Sequence, residues 1–377
     1  MTINNEHKKL NVPNLRFPEF QEEWEEYRIE DITENISSGR CKSHSSSGKY
    51  NLYGSTGIIG KTNEACYEGN LVLVARVGAN AGSLQILNEP CGITDNTLII
   101  KPKEVDVQYI YYFLQHFNLN RLIFGSGQPL ITGGMLKKVK VSLGTIQEQN
   151  KITRLLSVLD ERITTQNKII DKLQSLIKGL NQRVFTNSGI NYKLGEICEI
   201  SSGYSGSQLL SKKGLKVSRI ETISGHKVNM ERVGYVAPFE SSENYRLRVG
   251  DILFSNINSV EYIGNTAFID KDYDLYHGMN LLRLTPNNMV VIPFYLYLLL
   301  NTNTMLNRFK TVCNKAVSQA SINQTELGKT VVQIPLINTQ KQICELYQAL
   351  YDKLESEKYA NSLFQKQKQY LLRQMFI

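Results

Sequence analysis

The chain has 377 residues, too many for one typical hydrophobic core, so two domains are expected. It is 41% hydrophobic and 21% charged, with nine prolines, which excludes a disordered or fibrous polypeptide. A formal charge of +8 favours an acidic partner, nucleic acid ahead of membrane, and says nothing of fold.

The chain opens on "MTINNEHKKLNVPN", which is polar and lacks the apolar core of a signal peptide. Strand-like runs follow, bounded by Gly, Asn and Pro: "YRIEDI" (27–32), "LVLVA" (71–75) and "NTLIIKP" (96–102). Ile110, Phe113, Leu114 and Phe117 then mark one face of a helix at i, i+3, i+4 and i+7. After it, Ile152, Leu156, Leu159, Ile163, Gln166, Ile170, Leu173, Ile177, Leu180 and Val184 fall in steps of three and four. That is a heptad seam held over more than four heptads, and it predicts a helix of about 40 residues, roughly 60 Å long.

The remainder repeats this order. Phe185 set on Phe376 gives an offset of 191, which holds ungapped for Leu180/Leu371, Leu159/Leu350, Ile152/Ile343, Gln149/Gln340, Leu136/Leu327, Ile131/Ile322 and Gln128/Gln319. Further upstream the register shifts between apolar runs: "NTLIIKP" matches "NLLRLTP" (280–286), "EGNLVL" (68–73) matches "VGDILF" (249–254), and "YRIEDI" matches "YKLGEI" (192–197). Shared strands with added residues between them describe one module written twice, with longer loops in the second copy. Pro293 opens the second copy's short helix, where proline is tolerated. The second seam runs through Ile343, Tyr347, Leu350, Leu354, Glu357, Asn361, Phe364, Lys368, Leu371 and Met375, and its middle is polar. Polar seam residues either fix register or mark a stretch that is solvated or covered by another subunit. The fold class expected is mixed α/β: two repeated globular domains joined by two long antiparallel coiled-coil helices with pseudo-two-fold symmetry. The segments are residues 1–142, a first recognition domain; 143–188, the first spacer helix; 189–334, the second domain; and 335–377, the second helix.

Catalytic motifs are missing. "GSTGIIGKT" (54–62) has Ser55 where a phosphate loop needs its first glycine, and no apolar helix follows. "GANAGS" (78–83) lacks dinucleotide-binding spacing and reads as a turn. The five histidines (His7, His44, His116, His226, His277) show no metal-ligand spacing. Six scattered cysteines without C-x-x-C suggest a reducing compartment. The longest apolar run, "MVVIPFYLYLLL" (289–300), is too short to span a bilayer, so a cytoplasmic location is expected. Any activity is expected to come from a partner.

Five phrases carry a resemblance: "VPNLRFPEFQEEWEEYRIEDI", "YGSTGIIGKTN", "GSGQPLITGGMLKKVKV", "VSRIETISGHKV" and the two "Q-x-x-I…F" helices. Together, and in this order along nearly the whole chain, they resemble the specificity subunit of a type I restriction–modification system. The resemblance implies a non-catalytic DNA-binding chain that recognises a bipartite target across a fixed gap. It implies double-stranded DNA, two methylation subunits and restriction subunits as partners. S-adenosylmethionine, ATP and Mg2+ would be used by those partners and not by this chain. "YGSTGIIGKTN" and "VSRIETISGHKV" look like different subtypes of recognition domain, which implies an asymmetric target. A self-contained DNA-modifying enzyme and a coiled-coil scaffold that never touches DNA are the rival readings.

Base reading needs Arg, Lys, Asn or Gln on loops, and phosphate contact needs cations and backbone amides. The candidates are Lys61, Arg76, Asn80 and Gln128 in the first copy, and Arg219, Asn256, Asn258, Lys315 and Gln319 in the second. Gln128 and Gln319 serve equally well as loop-stabilising side chains, and each cation taken singly as a solvated surface charge. Leu159, Ile163, Ile170, Leu173, Leu354 and Phe364 are expected to hold the helices together, and the helix flanks to carry the methylation subunits.

Overall fold

The computed structural model describes residues 11–41, 47–123, 127–185, 189–315 and 319–377; His7 and His44 lie outside them. The chain divides into two compact units, Met1–Lys168 with Lys358–Ile377, and Ile169–Glu357. Each long helix is therefore divided between the units. The first runs Ile146–Arg183 and the second Ile337–Gln374, 38 residues each.

In the first unit a four-stranded antiparallel sheet has the order Thr33–Ser38, Thr97–Pro102, Leu71–Ala75, Leu84–Leu87. The run "LVLVA" is buried at every residue because its alternate side chains enter different cores. Val72 and Val74 face the main core with Leu98 and Ile100, while Leu71 and Leu73 join Leu87, Cys91, Ile93 and Ile99 on the other side. The helix Val107–Phe117 covers the main core with Ile110, Phe113 and Leu114. It starts where Asp106 Oδ1 accepts from the Gln108 and Tyr109 amides, at 2.6 and 3.1 Å, and stops at Asn118 in the left-handed region, φ 58°.

The second unit repeats this sheet with Cys198–Ser202, Leu282–Pro286, Ile252–Phe254 and Thr266–Phe268 in the same order. Both units also pair their first strand with the strand just before a long helix: Glu25–Arg28 with Lys140–Leu143, and Ile190–Lys193 with Val331–Ile334. Pro293 opens the short helix Pro293–Leu300, as the sequence predicts. The units differ in what is added to this frame. The first carries a three-stranded sheet, Gly57–Thr62, Tyr50–Gly54 and Cys91–Ile93; the second carries a two-stranded ribbon, Leu215–Val217 with Gly234–Val236, on 3-10 turns.

The expected seam is shielded throughout. In the first unit Ile152, Leu156 and Leu159 are buried with Leu371, Leu372, Met375 and Phe376, and Ile163 and Phe364 are half-buried. Arg162 lies over the Phe364 ring, 5.8 Å from its centre. In the second unit Ile177 and Leu354 are buried, and Ile170 and Leu173 pack against the same core. The polar middle of the second seam is paired across the helices. Lys368 donates to Asp160 Oδ1 at 2.6 Å, and Asn361 Nδ2 to Asn167 Oδ1 at 2.9 Å. Seven residues forward on one helix is seven back on the other, the antiparallel register. Within the second unit, Tyr347 OH donates to Asn181 Oδ1 at 2.6 Å. These directional contacts favour the register-fixing role for the polar positions.

The duplicated terminal phenylalanines now have a reason. Phe376, just past the second helix, packs 5.1 Å from Tyr109 and 6.5 Å from Phe113 in the first unit. Phe185, just past the first helix, packs 5.5 Å from Tyr295 and 5.9 Å from Tyr347 in the second. Each copy's last aromatic thus completes the core around the other copy's strands.

The opening phrase "LRFPEF…W" also acquires a physical role. Arg16 grips the fully buried Glu148 with two bonds, 2.7 and 2.9 Å, and Trp24 Nε1 donates to the same carboxylate at 3.0 Å. The Leu15 amide donates to the Gln374 carbonyl. The segment ties the start of one helix to the end of the other within the first unit. Glu148 aligns with Thr339 in the second copy, which cannot make this clamp.

Phe376 is 3% exposed, so Phe376→Ala is expected to cost about 3–5 kcal/mol of unfolding free energy. Tyr370→Ala, at an exposed position of the same helix, should stay within about 0.5 kcal/mol. Urea unfolding followed by circular dichroism compares the two.

Candidate nucleic-acid interface

In the first unit the strand Leu71–Ala75 runs into the loop 76–83, closed by the Ala75 amide to the Ser83 carbonyl and the Gly82 amide to the Ala75 carbonyl. Gly82 adopts φ +87°, and a Cβ there would press on Leu119 at 3.3 Å. Three other segments are fastened to this loop. The Arg76 amide donates to the Asn96 carbonyl, and the Ser55 hydroxyl to that same carbonyl at 3.0 Å. The Ile131 amide donates to the Arg76 carbonyl, and Gly78 to the Pro129 carbonyl. The hairpin turn at Ser55, the loop 76–83, the turn 94–97 and the loop 127–131 therefore form one edge. Arg76, Asn80 and Gln128 come together there, and Asn80 and Gln128 are exposed.

Lys61 is placed differently. It lies toward the far end of its strand from the turn, and its ammonium donates to Asn51 Oδ1 at 2.7 Å. Asn51 and Tyr53 both donate to Glu89 Oε1, at 2.8 and 2.6 Å. Burial, then the Glu89 carboxylate, push the Tyr53 phenol up to about 12. The bonds from Tyr53 and Asn51 hold Glu89 below the usual carboxylate range. Lys61 thus belongs to an internal polar network of the hairpin.

The second unit builds the same edge from different residues. Ser255 donates to the Asn265 carbonyl, Gly264 to the Ser255 carbonyl, and Ile322 to the Asn256 carbonyl. The strand pairings set Val72 on Ile252, one residue off the match of "EGNLVL" to "VGDILF", and Ile131 and Ile322 are partners in the repeat, so Arg76 and Asn256 occupy equivalent positions. Both are half-buried, and in both a polar side-chain atom, Arg76 Nε or Asn256 Oδ1, is buried without a hydrogen-bond partner. Buried polar atoms are rarely left so. Asn258 is held by its own loop, donating to Ser255 Oγ at 3.0 Å and accepting from the Ser259 amide at 2.8 Å. Lys315 pairs through its backbone with Ala320, and the neighbouring Gln319 is exposed; the Lys315 side chain lies outside the described atoms. Arg219 is not tied to this loop among the described residues. It precedes the turn Ile220–Ile223, and its guanidinium pairs with Glu221 at 3.4 Å.

Two features of the first edge escape sequence reasoning. Asn96 joins two loops through one carbonyl oxygen, which no residue pattern announces. Ile58 and Ile59 stand in solvent on the hairpin. The broken alternation in "GIIGK" was the available signal, within a phrase read as a failed phosphate loop and as a mark of the recognition-domain subtype. The structure there is strand, turn, strand.

Among the described residues no group of three His, Cys, Asp or Glu side chains could hold a metal ion. No helix is long and apolar enough to cross a membrane. The six cysteines are unpaired; burial pushes Cys91 up to about 11 and Cys198 up to about 12, which makes them poor nucleophiles.

Fold and edges together define a duplicated recognition protein: repeated α/β units, each closed by antiparallel stretches of the long helices, presenting equivalent edges of unlike chemistry. The chain belongs to the family of type I restriction modification DNA specificity domains, whose model matches residues 21–175 and again 190–362. It is 42% identical over 158 residues to a putative type I restriction enzyme MjaX specificity subunit of Methanocaldococcus jannaschii, covering 41% of this chain and 37% of that one. It is 24% identical over 412 aligned positions to the type I restriction enzyme MjaVIII specificity subunit of the same organism, covering 97% and 95%. The alignment to the first of these relatives thus spans little more than a third of its length. The S subunit of the type I restriction-modification system from M. genitalium has the same fold, with a TM-score of 0.67 at 18% identity over 97% of this chain and 99% of that one.

The second unit's edge stands near a buried histidine that gives it a pH dependence. His277 Nε2 donates to the Leu281 carbonyl at 2.9 Å, and its neighbour Gly278 donates to Ser218 Oγ. Burial pushes the imidazole down to about 4 from 6.5. Between these values the unfolded chain takes up a proton that the folded unit refuses, so stability falls as pH drops from about 6.5 to about 4, by roughly 3 kcal/mol. His277→Gln should flatten that part of the profile. Subtracting the variant's unfolding free energies from those of the parent chain across this range isolates the effect.

Proposed function

We propose that the chain is the DNA-recognition component of a type I restriction–modification complex, with each unit reading one half of a split, asymmetric target. The observation that carries this reading is the pair Arg76 and Asn256. They sit at one position of the repeated frame, each is half-buried with one polar side-chain atom unpaired among the described residues, and they favour different bases. In a major groove Arg pairs with guanine O6 and N7, and Asn with adenine N6 and N7. Asn80 and Gln128, and Asn258 and Gln319, extend the two edges as base or phosphate contacts. Arg219 and Lys315 are assigned to phosphates, while Lys61, engaged with Asn51, is not. Membership of the family and the matching relatives support a chain without chemistry of its own. Two methylation subunits would use S-adenosylmethionine on adenine, and restriction subunits would use ATP and Mg2+. These partners and a cytoplasmic location belong to the proposal. The recognition segments remain those read from the repeat, 1–142 and 189–334, with helices at 143–188 and 335–377 as spacers.

A genome-wide map of methylated adenines, in cells with and without this chain, tests the reading. Loss of one split, asymmetric motif on deletion is expected; an unchanged map in a cell that expresses the methylation subunits would overturn it. In the same assay Arg76→Ala should relax one half of the motif and Asn256→Ala the other, each at a cost of about 1–3 kcal/mol in binding. Relaxation of the same half by both would refute the assignment of one half per unit.

The helices set the gap in this scheme. Removing one heptad from each shortens a spacer by about 10 Å, or about three base pairs. The shortened chain is expected to accept a smaller gap between unchanged half-sites. Recognition of the original spacing would exclude the helices as the ruler.

A further inference from the structure

The hairpin of the first unit exposes two consecutive isoleucines, Ile58 at 57% and Ile59 at 48%. A bulge causes this. Leu52 pairs with Gly60 and the next residue, Tyr53, with Ile58, so Ile59 is the extra residue and the usual in–out alternation is lost. Ile59 lies over Gly54, where an added Cβ would come within 3.0 Å of it. The strand is also the edge of its sheet, and edge strands normally avoid such apolar display because it invites aggregation. The third strand, Cys91–Ile93, stops pairing at Tyr53, so beyond it the tip is two-stranded, held by Gln85 Nε2 on the Gly54 carbonyl at 2.9 Å.

This tip does not stand alone. Ser55 in its turn is bonded to the Asn96 carbonyl that also receives the Arg76 amide. The isoleucines therefore adjoin the edge that carries Arg76, Asn80 and Gln128. A two-stranded ribbon fits a major groove about 12 Å wide and not a minor groove about 6 Å wide. Within the major groove the apolar feature of an unmodified base is the thymine 5-methyl group.

We propose that Ile58 and Ile59 are specificity residues that read thymine methyl groups in the half-site bound by the first unit. The inference rests on the DNA-reading function proposed above and adds a chemical group to it. The cationic Arg76 and the amides of Asn80 and Gln128 beside the tip supply polar contacts to the same duplex, which favours DNA over a protein as the occupant. Among the described residues the second unit has no hairpin at the matching place, between its strands Cys198–Ser202 and Ile252–Phe254; its added ribbon there is Leu215–Val217 with Gly234–Val236. Methyl dependence is therefore confined to one half-site.

The test uses the full chain assembled with its methylation subunits and duplexes carrying the mapped target. Thymines of one half-site at a time are replaced by deoxyuridine, which deletes the methyl and keeps every hydrogen bond. A loss of affinity of roughly fourfold per contacted methyl is expected, in one half-site only. In the double variant Ile58→Ala with Ile59→Ala, thymine and deoxyuridine duplexes should bind equally. Both positions are exposed, so the fold should survive, and the comparison of two DNAs on the unaltered protein needs no variant at all. Equal binding of both duplexes by the unaltered protein, or a deoxyuridine penalty that persists in the double variant, would overturn the proposal. Absence of sequence-specific binding to the unsubstituted target would instead remove the DNA-reading function on which it rests.

Discussion

The structure depends on the requirement that two long, mostly polar helices be seated at both ends. An isolated helix of this composition gains little from propensity and is held by the face it buries. Here that face is a narrow seam, and the ends are fixed by aromatic plugs. Phe376 enters the core around Tyr109, and Phe185 enters the core around Tyr295. The glutamines that open the helices repeat the same solution. Gln149 donates to the Gly144 carbonyl and Gln340 to the Pro335 carbonyl, equivalent bonds five residues back in each copy. Since neither unit contains a whole helix, neither can lose its plug without loosening a segment contributed by the other copy.

That arrangement explains which parts of the molecule were legible in the sequence. The repeat, the heptad seams and the strand pairs all follow from burial, and burial imposes a period on residues close together in the chain. Ile152, Leu156 and Leu159 announce a helix face, and Val72 and Val74 a sheet face. The mixed α/β fold with its paired helices was borne out on this basis. The edges were legible only as a list of polar loop residues. What selects Arg76 and Asn256 from such a list is a pair of backbone bonds, from Ile131 and Ile322, that span more than fifty residues. No local pattern encodes a contact at that separation. The Asn96 carbonyl shared by Ser55 and Arg76 was hidden for the same reason.

The shared frame and the divergent edges both contain buried polar groups. In the frame, Glu148 receives Arg16 and Trp24, and Gln340 both accepts from Ile292 and donates to Val290 and Pro335. Buried side-chain atoms without a partner among the described residues occur both in the frame, at Gln149 and Asn361, and at the edges, at Arg76 and Asn256. An unpaired buried polar atom costs about 1–3 kcal/mol, and each edge carries one at the same place. In the proposed function, a partner group that satisfied such an atom would recover that cost on binding, and a partner with the wrong group would not, so discrimination would follow from the penalty for a mismatch more than from the gain of a match.

Specificity and geometry are thereby carried by different atoms. The exposed side chains of the loops 76–83 and 255–265, such as Asn80 and Ser259, lie outside the core, whereas Ile263 of the second loop is buried in it with Ile252 and Phe254. The helices are joined by Asp160 with Lys368, Asn167 with Asn361 and Asn181 with Tyr347. The clamp of Arg16 and Trp24 on Glu148 belongs to the first unit alone, since Thr339 stands at the matching position of the second. The two copies have therefore diverged in how a helix end is fastened as well as in what the edges present. The seam has diverged as well: Ile170 and Ile177 align with Asn361 and Lys368, and those two polar residues make the directional contacts to Asn167 and Asp160 that favour a single register.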